Sequence, residues 1–136
     1  MSDLTTKQLM NQIIGPFQEE VTEKMLKAFC SAVGAEYTGE APPTYMTRYR
    51  QGEFELLQKN GVPLTSILHG EQEYEYFAPI KPGMKVEYET KITKSHEKKG
   101  SSGSMHFLVF ETSVKESGKA LGLAKTTIVV RGGLKK

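Results

Sequence analysis

The sequence has 136 residues, of which 38% are hydrophobic and 25% charged, and its formal net charge is +2. A chain of this size can bury one apolar core but has no room for a second, so we expect a single domain over residues 1–136. The basic residues are spread among nearly as many acids, which argues against the basic stripe of a nucleic-acid-binding protein.

The first predicted element is a short helix over Thr5–Ile14. Gly15 would close it and Pro16 would prevent its continuation, so the chain is expected to run extended over Phe17–Val21. The same N-terminal stretch lacks the cationic start and long apolar core of a secretory signal. No apolar run approaches the roughly 20 residues of a membrane span. The sequence therefore predicts a cytoplasmic protein without a membrane partner.

A stronger helix is predicted in the stretch VTEKMLKAFCSAVG. Thr22 is a suitable N-cap, Val21 and Leu26 have the spacing of a hydrophobic staple, and Gly34 ends the helix. Apolar residues recur at helical spacing along it, at Met25, Ala28, Phe29, Ala32 and Val33. We expect this face to pack against a sheet.

Cys30, the sole cysteine, lies in the same helix. It cannot form an internal disulfide, and no CxxC motif or Cys/His cluster surrounds it, which fits a reducing compartment and predicts a protein without a metal. A buried thiol is a poor nucleophile, so no catalytic role is expected for Cys30.

From residue 35 to residue 62 the periodicity weakens, and glycines and prolines punctuate the chain. This stretch is expected to be irregular, with one possible short helix over Glu53–Lys59. Such irregular stretches are often functional or mobile.

Four strands are predicted after this stretch, because β-branched and aromatic residues alternate with turn formers. They cover Leu68–Pro79, Val86–Ile92, Met105–Val114 and Ala120–Arg131. Turns are expected at Lys81–Gly83 and Glu116–Lys119, and a flexible hairpin tip at Glu97–Ser104. The helical N-terminal part followed by a consecutive antiparallel meander predicts an α+β fold.

The order of several motifs resembles the N-terminal MaoC-like dehydratase domain. These are VTEKMLKAFCSAVGAEY, APPTY, ILHGEQEYEYFAPIKPGMKVEYETKI, GSMHFLVFETSV and TTIVVR, which together cover nearly the whole chain. The resemblance implies a hot-dog fold, a curved antiparallel sheet wrapped round a helix, that works as a dimer or double hot dog. It also implies an acyl thioester substrate, hydrated as an enoyl thioester or dehydrated as a 3-hydroxyacyl thioester.

Active members of that family have an Asp after the resembling helix and a His five residues later, a pair suited to general acid–base catalysis. In this chain the two positions are Ala35 and Glu40. Alanine transfers no proton, and a lone glutamate would have to do both tasks. The sequence therefore predicts no catalytic pair, with Glu40 most simply a solvated loop residue.

His69 is the remaining candidate, because His69-Gly70 at the start of a strand resembles the family's own pattern. These two residues are predicted to contact the thioester or a partner subunit. The simpler interpretation is a hydrogen-bonded histidine that fixes the start of the strand. His96 and His106 are expected to have surface or space-filling roles, and cross-strand packing accounts for Tyr74, Tyr76 and Tyr88.

The leading hypothesis is a non-catalytic hot-dog subunit of an enoyl-thioester hydratase that pairs with a catalytic MaoC-like protein. One alternative is a self-sufficient homodimeric hydratase or thioesterase using Glu40, His69 or Glu53, and another is an acyl-coenzyme A binding module of a larger assembly. No cofactor is expected, since coenzyme A or acyl carrier protein arrives with the substrate. A homodimer or a heteromer is expected from the fold, whose sheet edges invite pairing.

Overall fold

The computed structural model describes residues 12–101 and 103–131, which form an α+β domain of five strands and two α-helices. In chain order these are β1 (Ile13–Glu20), α1 (Glu23–Val33), α2 (Gln51–Lys59), β2 (Ile67–Tyr76), β3 (Lys85–Gly100), β4 (Gly103–Glu116) and β5 (Lys119–Arg131). Short 3₁₀ helices at Tyr45–Tyr49 and Leu64–Ser66 flank α2. In these residues no helix is long and apolar enough to cross a membrane.

The strands form one antiparallel sheet in the order β1-β3-β4-β5-β2, so that β1 and β2 are its edges in the described part of the chain. The predicted consecutive meander holds for β3, β4 and β5 but is wrong for β2. Since β3 is hydrogen-bonded to β1 on one side and β4 on the other, β2 pairs with the free side of β5, where Tyr74 lies opposite Ala124.

The N-terminal strand corrects the prediction of a helix over Thr5–Ile14. Ile13 and Ile14 pair with Lys91 and Thr90 of β3, a conformation that suits β-branched side chains. The part of the predicted helix before residue 12 lies outside the described residues. The extended conformation expected after Gly15 is confirmed.

Helix α1 begins and ends as predicted. The Thr22 hydroxyl accepts a hydrogen bond from the Met25 amide at 3.2 Å, and Gly34 ends the helix in the left-handed conformation with φ 74°. Val21 and Leu26 are fully buried in one core cluster, which confirms the staple. The predicted buried face is right only in part: Met25 and Phe29 are half-buried and Phe29 packs on Tyr45, but the fully buried residues are Leu26 and Cys30. Ala28, Ala32 and Val33 are exposed, which corrects the prediction for them.

The helix that lies on the centre of the sheet is α2, within the stretch expected to be irregular. Its Leu56 and Leu57 are buried against sheet residues of three strands, namely Ile92, Leu108, Phe110, Ile128 and Val130. The predicted short helix at Glu53–Lys59 is thus confirmed and begins two residues earlier. Stretch 35–62 therefore does contain a helix that packs on the sheet.

Gly52 allows α2 to approach the sheet. A Cβ atom at this position would lie 2.5 Å from the Thr90 Oγ1 and 2.7 Å from the Thr90 Cβ. Only a glycine permits so close a contact between helix and strand.

Two hairpins join the meander. The Glu116–Lys119 turn is confirmed, with Ser117 at φ 48° and Gly118 at φ 82°, as a tight two-residue hairpin requires. The flexible tip expected over Glu97–Ser104 is wrong for most of its length, because the β3–β4 ladder continues to the pair Gly100 and Gly103. Residue 102 lies outside the described residues.

Candidate functional site

Position 35, the first of the two predicted catalytic positions, directly follows the cap of α1. The amide of Ala35 donates a hydrogen bond to the Cys30 carbonyl at 2.8 Å, which closes the helix after Gly34. The side chain of Ala35 is exposed. A methyl group at this place holds neither a proton nor a water molecule.

Glu40, the second position, lies at a cleft of about 430 Å³ between the loop after α1 and the end of β2. The Ala41 amide donates to the Ile80 carbonyl at 2.8 Å, and the Tyr76 hydroxyl donates to the Pro43 carbonyl at 2.5 Å. Burial raises the pKa of Tyr76 to about 12, so this phenol stays protonated at neutral pH. The remaining wall is apolar and is formed by Ala41, Pro43, Phe77, Ala78, Pro79 and Ile80.

His69 lies near the other end of β2. It pairs with Ile128 of β5, so it is on the face of the sheet that carries α2, and its side chain is exposed. Its Nε2 is 3.1 Å from the Oε1 of Gln72. The register shifts between His69 and Glu71, so Gly70 is the extra residue of a bulge that sets the direction of the histidine.

The two candidates are not brought together. Tyr76, which lines the cleft beside Glu40, is seven residues from His69 along β2, and a strand rises by about 3.3 Å per residue. Glu40 and His69 therefore do not act on one reacting atom within a single chain.

A buried carboxylate links α2 to β5. Glu53 is 1% exposed; its Oε1 accepts from the Arg50 Nε at 2.9 Å and its Oε2 from the Thr126 hydroxyl at 2.7 Å. The Thr126 hydroxyl is also 3.0 Å from the Gln72 Oε1, which is the atom next to His69. Glu53 and His69 are thus the two ends of one hydrogen-bonded chain.

The donors of this network can be assigned from its geometry. The Gln72 Nε2 donates to the Lys125 carbonyl at 3.1 Å, so its Oε1 is the acceptor for His69. His69 then donates from Nε2, and the single Thr126 proton is shared between the Glu53 Oε2 at 2.7 Å and the Gln72 Oε1 at 3.0 Å. Both oxygens of Glu53 have donors, which is the arrangement of a structural carboxylate.

From the sequence, Glu53 is a candidate only for the alternative function, the homodimeric hydratase or thioesterase. A signal was present, because Glu53, Leu56 and Leu57 have the i, i+3, i+4 spacing of one buried helix face. The partner Thr126 is 73 positions away and has no such signal.

The other histidines lie outside this network. His106 is buried and pairs with the Ser95 hydroxyl at 2.5 Å, and burial lowers its pKa. A space-filling role for His106 is consistent with this position. His96 is exposed and stacks on Phe107, with 5.0 Å between the ring centroids.

The tyrosines belong to an aromatic core instead of a cross-strand row. Tyr88 contacts Tyr49 and Phe17, and Tyr49 contacts Tyr45, with centroid distances of 4.7–5.9 Å. The predicted neighbours Tyr74 and Tyr88 are not on adjoining strands, because β2 pairs with β5. Burial raises the pKa of both Tyr45 and Tyr49.

The chain offers no assembled metal centre within residues 12–101 and 103–131, where no three His, Cys, Asp or Glu side chains are grouped to hold an ion. Cys30 is buried on the inner face of α1 together with Leu26, which fits a packing role for this cysteine.

A family model described as FAS1-like, dehydratase domain region, matches residues 38–122. Among curated proteins none matches the sequence. The match includes the cleft around Glu40, Glu53 of α2 and the strand with His69, whereas Thr126, the partner of Glu53, lies beyond it.

Solved structures share the fold. The C-terminally truncated HadBC (3R-hydroxyacyl-ACP dehydratase) complex of Mycobacterium tuberculosis matches with a TM-score of 0.74 and 16% identity, over 89% of this chain and 96% of that one. The ChsH1-ChsH2 complex of the same organism matches with a TM-score of 0.69 and 12% identity, over 91% of this chain and 86% of that one. A MaoC-like dehydratase from Rhodospirillum rubrum matches with a TM-score of 0.61 and 15% identity, over 93% of this chain and 94% of that one. The expected hot-dog fold is confirmed.

Proposed function

Because the chain belongs to the FAS1-like dehydratase domain family, in the MaoC-like group that its sequence resembles, we propose that it is a non-catalytic hot-dog subunit of an enoyl-thioester hydratase. The reverse reaction dehydrates a 3-hydroxyacyl thioester. The partner is a catalytic MaoC-like protein that has the Asp and the His. The observation that carries this proposal is the pair of residues Ala35 and Glu40 at the two catalytic positions.

The chemistry explains why these two residues matter. Hydration adds a water oxygen to one carbon and a proton to the carbon next to the thioester carbonyl, so one group must activate water while another supplies the proton. Ala35 can do neither, and Glu40 stands in an open cleft without a second titratable group of matched function. The reaction therefore requires side chains from another subunit.

The sheet has one edge suited to such a subunit. Edge strand β1 contains Pro16, which has no N–H, and its register shifts between Ile14 and Phe17. Edge strand β2 runs for ten residues with a single bulge at Gly70. We place the partner along β2, where His69 and Gly70 contact its strand or the thioester.

Two of the similar structures are named as complexes, HadBC and ChsH1-ChsH2, which supports a two-subunit arrangement. The substrate supplies its own carrier, coenzyme A or acyl carrier protein, and no further cofactor is required. We place the enzyme in the cytoplasm, where the lone Cys30 stays reduced.

A homodimeric hydratase or thioesterase is a second candidate, favoured by the hydrogen-bonded chain from Glu53 to His69. In it the carboxylate would orient His69 through Thr126 and Gln72, and a second copy would complete the site. This candidate predicts turnover by the purified chain.

The test is hydration of crotonyl-coenzyme A, followed by absorbance, with the chain alone, a MaoC-like protein that has Asp and His alone, and the two co-expressed. Activity of the mixture above that of the MaoC-like protein supports the proposal. Turnover by the chain alone contradicts it and favours the homodimer. Ligand binding without turnover in any mixture identifies an acyl-coenzyme A binding module.

A further inference from the structure

The outer face of the sheet, opposite α2, has a row of alternating charges. Lys91 of β3 lies opposite Glu111 of β4, Glu111 opposite Lys125 of β5, and Lys125 opposite Glu73 of β2. Each neighbour in this row has the opposite sign, which is the favourable arrangement for cross-strand pairs. The row ends at the sheet edge with the acidic Glu73.

Two further glutamates, Glu71 and Glu75, lie on the same face of β2, one on each side of Glu73. Their cross-strand neighbours are Thr127 and Leu123, neither of which is charged. All three glutamates are exposed. The outer face of this edge is therefore an acidic row, which consists of Glu71, Glu73 and Glu75. Of the three, Glu73 has a basic cross-strand neighbour, Lys125.

This row opposes the pairing of β2 with a second copy of itself. Antiparallel neighbours in a sheet place opposite residues on the same face. A two-fold axis at Glu73 sets Glu73 opposite Glu73 and Glu71 opposite Glu75, and an axis at Gln72 or Tyr74 also sets glutamate opposite glutamate. Like charges directly opposite each other destabilise a strand pair.

We propose that the acidic row selects the partner: an edge strand of another hot-dog subunit that presents Lys or Arg on its outer face. Such a strand continues the alternation of Lys91, Glu111, Lys125 and Glu73 by one more basic position. The same row disfavours the joining of two copies of this chain through β2 in the registers centred on residues 72 to 74. That the partner is another hot-dog subunit rests on the proposed function. The preference for a basic edge strand follows from the glutamates of this chain alone.

A charge-reversed variant of this chain can serve as the basic partner strand in a test. The triple variant E71K/E73K/E75K has a basic row in place of the acidic one, so wild type and variant together offer complementary edges. Sedimentation equilibrium at low salt is expected to show monomers for each protein alone and a dimer for the equimolar mixture, bound roughly tenfold or more tightly than either self-pair. Added salt should weaken the mixed dimer.

A matched control separates pairing at β2 from general attraction between unlike proteins. The variant E23K/E36K/E97K has the same net charge, but its substitutions are at exposed glutamates away from β2. It is expected not to join the wild type. Circular dichroism checks that both variants fold, and E71Q/E73Q/E75Q, which removes the repulsion alone, should self-associate more strongly than the wild type.

Three results would overturn the inference: a monomeric mixture, a control that dimerises with the wild type as strongly as the β2 variant does, or wild-type self-association that the β2 substitutions leave unchanged. None of these needs a substrate or a natural partner. Failure here therefore leaves the hydratase proposal standing, and absence of hydratase activity leaves the charge selection standing.

Discussion

Thr126 on β5 donates its hydroxyl proton to Glu53 on α2, and 2.7 Å separate the two oxygens. Both side chains are buried, with exposures of 0% and 1%. The bond joins the central helix to the middle of the sheet beside an otherwise apolar contact of Leu56 and Leu57. An unpaired carboxylate oxygen at this depth would be costly, so this hydrogen bond fixes where α2 lies on the sheet.

Substitution T126V should lower the free energy of unfolding by about 1–3 kcal/mol, because it removes the donor and leaves one oxygen of buried Glu53 unsatisfied. Valine keeps the shape and the strand propensity of threonine. The control is T127V, the next residue on the same strand, which faces the other side of the sheet and should change stability by less than about 0.5 kcal/mol. Urea unfolding measures both; equal effects would contradict the role of the bond.

Local signals explain the parts of the fold that could be predicted. Thr22 and Gly34 fix the ends of α1 through contacts within four residues, and Gly118 supplies the positive φ of its own turn. The position of β2 beside β5 could not be predicted from the pattern of β2 itself. It depends on which edge of the sheet is left free, and β1 pairs with the free side of β3. The sequence predicts a helix for Ile13 and Ile14 because Gly15 and Pro16 resemble a helix end, yet the partners of both residues lie on β3, more than 70 positions away.

The candidate site, like the fold, could be predicted from the sequence only in part. Ala35, Glu40 and His69 could be singled out from the order of motifs, since each stands at a position that the family resemblance defines. The link from His69 to Glu53 could not, because it passes through Gln72 and Thr126 on two different strands. Only the pairing of β2 with β5 brings those side chains together.

Substitution G52A should lower the free energy of unfolding by about 1–3 kcal/mol, since its methyl group would stand 2.5 Å from the Thr90 Oγ1. Thr90 is fully buried and bonded to Thr112 at 2.7 Å, so it has little freedom to move away. The control is G70A, where the nearest atom to the new methyl group is 3.4 Å away. Thermal unfolding of the two variants compares them, and a stable G52A would show that α2 is not held so close to β3.

The buried His106 should make stability depend on pH. Burial lowers its pKa, an effect that Glu97 partly opposes and His96 supports, so between the lowered value and the unfolded value of about 6.5 the unfolded chain binds more protons. Stability should therefore fall as pH decreases through 6.5. Urea unfolding of H106Q between pH 7.5 and 5 should show a flatter profile, whereas H96Q, which removes only the smallest of the three influences on the pKa of His106, should keep most of the wild-type slope.

The double variant A35D/E40H restores the Asp and the His of active family members. We expect no hydration of crotonyl-coenzyme A by this variant alone, because Ala35 is exposed and Glu40 lines an open cleft, whereas acid–base catalysis on a thioester requires an enclosed site. The wild-type chain and E40H are the controls, and circular dichroism checks that each is folded. Turnover by A35D/E40H without a partner would mean that a single chain already contains the rest of the active site, and the partner-dependent function would then be wrong.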